Sequence, residues 1–282
     1  MLLLSTNDVH SYGGGELTLP PGVDATVEHV MTEPSWDMSA ATMLALAHRV
    51  RDAAESGAVV VAHGADTVEE TAFLTDLVAG PTARAGIVFT TELSRAAFTA
   101  AADPRLRQVG AVVCCGALLH AARWATHAGG SFTSAPFAPV AHVTGNDLTL
   151  GAAPPARPPA PRGRPVPDVA LLKTYPGMDA TLLMAAVDAG AAGIVLEGTG
   201  PGNVPASLFA AISDLTEWGV PVVIASRSHV GPSPVPNPDH AHGLAFAMGA
   251  VSARGLSAPK ARAALMVALG AGSAARAWFA QL

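Results

Sequence analysis

Short apolar runs alternate with helically spaced stretches along the first 150 residues. Segments 2–5, 58–62, 86–90 and 109–114 are almost continuously apolar, the pattern of strands buried on both faces. Between them, 39–55, 67–78 and 92–102 repeat apolar residues at three- and four-residue intervals and predict helices. Ser39 stands where an N-cap is expected, with Met43, Leu46 and Val50 on the buried stripe behind it. Strand–helix alternation of this kind predicts parallel βαβ units with helices on both faces of a sheet. After Pro139 the pattern changes: 140–144 and 147–150 alternate around Gly145-Asn146, a hairpin signal at an antiparallel edge. Segment 151–168 is dense in proline and predicts a semi-rigid extended linker. A smaller alternation follows, with strands at 169–173, 192–196 and 220–225 and helices at 179–189, 204–217 and 258–269. The expected fold is therefore α/β. A doubly wound, mostly parallel sheet occupies 1–150, a linker 151–168, and a smaller C-terminal α/β domain 169–282.

Composition narrows the function classes. Half of the 282 residues are hydrophobic and 13% are charged, which excludes a disordered chain and provides for a large core. No uninterrupted apolar stretch reaches the roughly 18 residues of a spanning helix, so a membrane is not an expected partner. Residues 1–4 lack the basic region and cleavage site of a signal peptide and read as the first strand. The net charge of −6 gives no general attraction to nucleic acid. Cys114 and Cys115 are adjacent, a poor disulfide pair and no metal-ligand framework. A reducing cytoplasm is expected, with no cofactor and no metal. The two lysines are Lys173 and Lys260, so the first 172 residues contain none.

Several motifs, in order, resemble the bacterial-type L-asparaginase/glutaminase family. His63-Gly64-Ala65-Asp66-Thr67-Val68-Glu69-Glu70-Thr71 is similar to its second signature, His-Gly-Thr-Asp-Thr-x-Glu-Glu-Thr. Tyr175-Pro176-Gly177-Met178-Asp179, the glycine-rich stretch 193–205, the strand 221–227 and the closing 256–269 follow the family's pattern in the second domain. The resemblance implies an active site at the carboxyl ends of the N-domain strands, completed by a neighbouring subunit in a homodimer or homotetramer. It also implies amide hydrolysis through an acyl-enzyme, with a threonine hydroxyl as nucleophile and a Thr–Lys–Asp set moving protons. A hydroxyl needs such a positioned base because its own pKa lies far above 7.

Residue by residue, the resemblance transfers unevenly. The first signature, Thr-Gly-Gly-Thr-Ile, aligns with Thr6-Asn7-Asp8-Val9-His10, placing valine on the nucleophile. Ala65 stands where the second catalytic threonine is expected, and His127 stands nearest the lysine's place. Only 28 residues separate Thr6 from Ser35, shorter than the family's lid, and Tyr12 falls where its loop tyrosine acts. Asp66 matches the aspartate that grips the substrate ammonium, and Ser35 the serine that helps hold its carboxylate, with Trp36 beside it. Asn203 matches the asparagine supplied by the partner subunit, and Asp239 falls near a partner glutamate. The expected ligand is small and amino-acid-like or an amide.

Asp8 and His10 arrive where the family has glycine and isoleucine, and His63 and Asp66 end another strand. One reading is a new acid–base site among Asp8, His10, Asp66 and His127, with Thr6 a possible substitute hydroxyl. A plainer reading makes His63 a backbone-bonded core histidine, His10 a solvated loop residue and His127 a helix-end cap. Three functions stay open. These are a repurposed enzyme acting on a modified amino acid or amide in specialised metabolism, a catalytically silent binding or regulatory protein, and an ordinary L-asparaginase.

Overall fold

The computed structural model describes residues 1–6, 17–79, 82–156, 163–228 and 243–282. They fall into two compact units, Met1–Ala160 and Pro161–Leu282. Among the described residues no helix is long and apolar enough to cross a membrane.

The first unit is built on an eight-stranded, mostly parallel sheet. In chain order it contains β1 (Leu2–Ser5), β2 (Thr26–His29), α1 (Ala40–Ala54), β3 (Val59–Ala62), α2 (Val68–Ala79), β4 (Ile87–Thr90), α3 (Arg95–Ala102), β5 (Ala111–Cys115) and β6 (Leu118–Ala121). A small hairpin, β7 (Thr126–Ala128) and β8 (Ser131–Thr133), and then β9 (Ala141–Thr144) and β10 (Asp147–Leu150) complete it. The sheet order is β10-β9-β6-β5-β4-β3-β1-β2. Strands β2, β1, β3, β4 and β5 run parallel, while β6, β9 and β10 form the antiparallel side.

Local chemistry accounts for these elements. Strands β3 (VVVA) and β4 (IVFT) are buried at every position because helices cover both sheet faces. Ser39 caps α1: its hydroxyl accepts the Thr42 N–H at 3.0 Å, and Met43, Leu46 and Val50 behind it are buried. Helix α2 is buried on nearly all sides, so its polar side chains must find partners inside. Thr71 and Thr75 donate to the Thr67 and Thr71 carbonyls, each at 2.8 Å. The buried Asp76 carboxylate accepts the Ala111 N–H at 2.8 Å and so locks α2 to the first residue of β5. The loop between β9 and β10 opens with Gly145 at φ 61°, the positive φ that a type II′ hairpin needs at its first position.

The second unit carries a four-stranded parallel sheet ordered β11 (Val169–Lys173), β12 (Gly193–Gly198), β13 (Val222–Ser226), β14 (Val251–Ser252). Its helices are α4 (Thr181–Asp188), α5 (Phe209–Glu217), α6 (Gly243–Ala247), α7 (Ala258–Gly270) and α8 (Ala275–Phe279). Gly193 lets α7 approach β12 closely: a Cβ there would lie 2.9 Å from the Leu265 side chain, which would have to shift.

Two local expectations change. His127 lies on strand β7 of a hairpin rather than at a helix end, because Gly129-Gly130, both at positive φ, turn the chain back on itself. Strand β2 has no counterpart among the predicted elements. It is an edge strand with exposed Thr26, Val27 and His29, and edge strands carry no continuous apolar run.

Candidate functional site

The parallel block has the spatial order β2-β1-β3-β4-β5, so the chain leaves β1 in one direction and returns to β3 on the other side. That reversal opens a crevice beyond the carboxyl ends of β1 and β3, the place where open α/β sheets bind ligands.

Thr6 ends β1. Its N–H and its Oγ1 both donate to the Ala62 carbonyl of β3, at 3.0 and 3.1 Å, and the residue is buried. His63 follows β3. Its N–H donates to the Thr90 carbonyl at 3.0 Å, and its Nδ1 lies 2.9 Å from the Gly64 carbonyl oxygen. The imidazole is fully buried, 6.1 Å from the Phe89 ring, so its packing is that of a core histidine. Ala65 is half-buried and packs on the hydrophobic cluster beneath. Asp66 emerges into solvent, and its Oδ2 receives the Ser35 hydroxyl at 3.4 Å, a long contact.

Ser35 comes from a single 3-10 turn, Ser35–Asp37, introduced by Pro34. The Thr67 hydroxyl donates to the Ser35 carbonyl at 3.0 Å and pins that turn against the start of α2. Ser35 is fully buried, whereas Trp36 next to it is exposed. His127 is held by its backbone: its N–H donates to Glu69 Oε1 at 2.6 Å, one helical turn beyond Asp66. Its imidazole is exposed and rests on Phe132 at 5.1 Å.

Thr6, Ser35, Ala65 and Asp66 thus gather at the switch point, Trp36 follows Ser35 in its turn, and His127 is fixed to the first turn of α2. Asp8, His10 and Tyr12 lie outside the described residues, as do Val9 and Asp239. Asn203 belongs to the second unit and closes a short bridge with Thr199 after β12. Thr199 donates its N–H and hydroxyl to the Asn203 carbonyl at 2.7 and 3.1 Å, and Asn203 is half-buried. Sequence reasoning missed Thr67 and Glu69 as positioning groups. Both sit in the signature that begins at His63, but a reach to Ser35 or His127 is a tertiary fact. Among the described residues no cluster of three or more His, Cys, Asp or Glu side chains has metal-binding spacing.

The cysteines at the end of β5 differ sharply. Burial pushes the Cys114 thiol up to about 11, so at neutral pH it is protonated and inert. Cys115 is half-buried, with its sulfur 3.2 Å from the Ser131 hydroxyl. Iodoacetamide at about pH 8 is expected to add one group per native chain, at Cys115, and a second only after denaturation. Peptide mass mapping checks this; rapid labelling of Cys114 in the native state would contradict it.

Comparison with known proteins agrees with the fold. Residues 15–156 match the family described as Asparaginase, N-terminal, and residues 168–279 match the Glutaminase/Asparaginase C-terminal domain. The chain belongs to the asparaginase family. A probable L-asparaginase of Deinococcus radiodurans is 32% identical over 276 residues, covering 89% of this chain and 83% of that protein. An L-asparaginase of Bacillus licheniformis is 29% identical over 233 residues, covering 76% and 72% respectively. One component of the glutamyl-tRNA(Gln) amidotransferase of Pyrococcus furiosus is 46% identical over 63 residues, which span 22% of this asparaginase-family chain and 14% of that protein. The N-terminal match begins after β1, so the assignment of Thr6 to the crevice rests on its place at the carboxyl end of that strand.

Proposed function

We propose that this asparaginase-family chain binds a small amino-acid-like or amide ligand at the β1/β3 crevice and runs a reaction on it other than the family's Thr–Lys amide hydrolysis. The carrying observation is the sequence of groups at the end of β3. Asp66 and Ser35 meet in a crevice, while the position between Gly64 and Asp66 holds alanine. Asp66 offers an exposed carboxylate to a ligand ammonium, a charge-assisted contact, and Ser35 completes the grip. Thr6 is a poor nucleophile in this arrangement, because its proton is committed to the Ala62 carbonyl. Residues 1–172 provide no lysine to take a proton. Proton transfer then falls to Asp66 with His10, Asp8 or His127. Asn203, from a second copy in a homodimer or homotetramer, would close the pocket.

A second reading is ordinary L-asparaginase, favoured by the full-length relatives of that name. Ammonia release from L-asparagine and L-glutamine separates the two. Background-level release is expected from purified protein that nevertheless binds an amino-acid ligand. Sustained release abolished by Asp66→Ala would favour the second reading and overturn the first.

A further inference from the structure

The hairpin of β7 and β8 forms a two-stranded sheet of its own, outside the eight-stranded one. An isolated two-stranded hairpin is marginally stable at best in water, so contacts with its surroundings hold it in place. Phe132 enters the core cluster that includes Val113 of β5, Ala122 and Ala125. Glu69 of α2 accepts the His127 N–H, and the Cys115 sulfur lies 3.2 Å from the Ser131 hydroxyl. Just beyond β8, Ser134 meets His120 of β6, its hydroxyl oxygen 2.9 Å from Nδ1.

His120 is 3% exposed and pairs in register with Val113. The Ser134 hydroxyl donates its one proton to the Phe137 carbonyl at 3.2 Å, so its oxygen accepts from His120. That assigns the imidazole proton to Nδ1 and leaves Nε2 with a lone pair. Nε2 is buried and, among the described residues, has no hydrogen-bond partner. The ionisable groups of the surrounding elements are engaged elsewhere. Asp76 of α2 accepts the Ala111 N–H, Glu69 the His127 N–H, and Arg123 beyond β6 donates to the Ala156 carbonyl. Cys115 of β5 meets Ser131, the His127 ring rests on Phe132, and His142 of β9 is exposed. Burial alone therefore acts on the His120 imidazole and holds it below its ordinary value of 6.5.

A proton on Nε2 would place a charge and an N–H donor where nothing accepts them, and burying such a charge is costly. Letting water reach the ring relieves that cost. Strand β6 is paired with β5 and β9, whereas the hairpin is a short separate piece, so the hairpin is the part that yields. We infer that the β7–β8 hairpin is a proton-released flap, docked while His120 is neutral and freed when Nε2 takes a proton. The neutral ring favours the docked form. Its contribution is complete above pH 6.5 and is lost as pH falls below that value. His127 rides on the flap, so acid also frees it from the first turn of α2. The flap stands whatever reaction the crevice runs.

The test is hydrogen–deuterium exchange of the full chain at about pH 7.5, 6 and 5, with rates corrected for the intrinsic pH dependence of exchange. Amides of 126–134 are expected to lose protection as pH falls, several-fold and up to about 30-fold by about pH 5, while β3 and β4 keep theirs. His120→Asn keeps a side-chain N–H for Ser134 and does not titrate, so its hairpin is expected to be equally protected at every pH. Where the Asn variant does not dock at about pH 7.5, nitrogen-15 spectra of the parent's His120 ring decide. They are expected to show the neutral Nδ1–H form at about pH 7.5 and protonation in step with the loss of hairpin protection. Hairpin protection independent of pH in the parent, the same pH dependence in docked His120→Asn protein, parallel loss in β3, or a protonated His120 beneath a protected hairpin would overturn the assignment.

Discussion

Asp66→Ala is expected to raise the dissociation constant for L-asparagine at the β1/β3 crevice about 10–150-fold, the cost of losing a hydrogen bond to a charged group, roughly 1.5–3 kcal/mol. At about 100 times the dissociation constant, a ligand stabilises the protein it binds by roughly 2.7 kcal/mol. A shift in unfolding temperature at fixed ligand should therefore fall by about half or more in the variant. The substitution itself should leave the ligand-free protein intact, because Asp66 is exposed and the contact it loses, the 3.4 Å approach of the Ser35 hydroxyl, is a long one. Ser35→Ala is expected to matter less, since that contact carries no full charge on the serine side. An unchanged ligand shift in Asp66→Ala would remove the crevice from the account of binding.

The parts of the fold legible in sequence are those whose signal is local. Strands β3 and β4 announce themselves because every position is buried, and α1 because Ser39 and its apolar stripe act within a few residues. The β9–β10 hairpin is set by one glycine at one turn. Strand β2 gives no such signal, since its Val27 is exposed and the strand is held by pairing with β1. The β7–β8 hairpin is held from a distance, through Glu69 and through Phe132 in the core. That is why residue-level reading made His127 a helix-end cap and not a strand residue. The site divides in the same way. Thr6 and Asp66 follow strands that the pattern locates, and the switch point brings those strands side by side. The reach of Thr67 to Ser35 depends on a turn that only Pro34 and the packed sheet define.

Phe89→Ala links the core to the site and is expected to have the largest effect on stability, about 3–5 kcal/mol. Phe89 is fully buried in β4, flanked in register by Val61 of β3 and Val113 of β5, in the cluster that also holds Ala65. Four-residue strands with both faces covered leave little freedom to collapse around a lost ring, so most of the cavity should persist. A domain's whole stability is only about 5–15 kcal/mol, so the urea midpoint of the first unit's transition should drop sharply. Val88→Ala, one residue earlier and packed in the cluster on the other sheet face, supplies the comparison. It should cost less, since only two methyl groups are lost. The two variants should also differ at the crevice. Phe89 is the ring against which His63 packs, and His63 begins the turn that carries Ala65 and Asp66. Folded Phe89→Ala protein should therefore bind L-asparagine more weakly, whereas folded Val88→Ala protein should bind it as the parent does. Equal loss of affinity in both would mean that general destabilisation, and not the His63 wall, governs the geometry of the crevice.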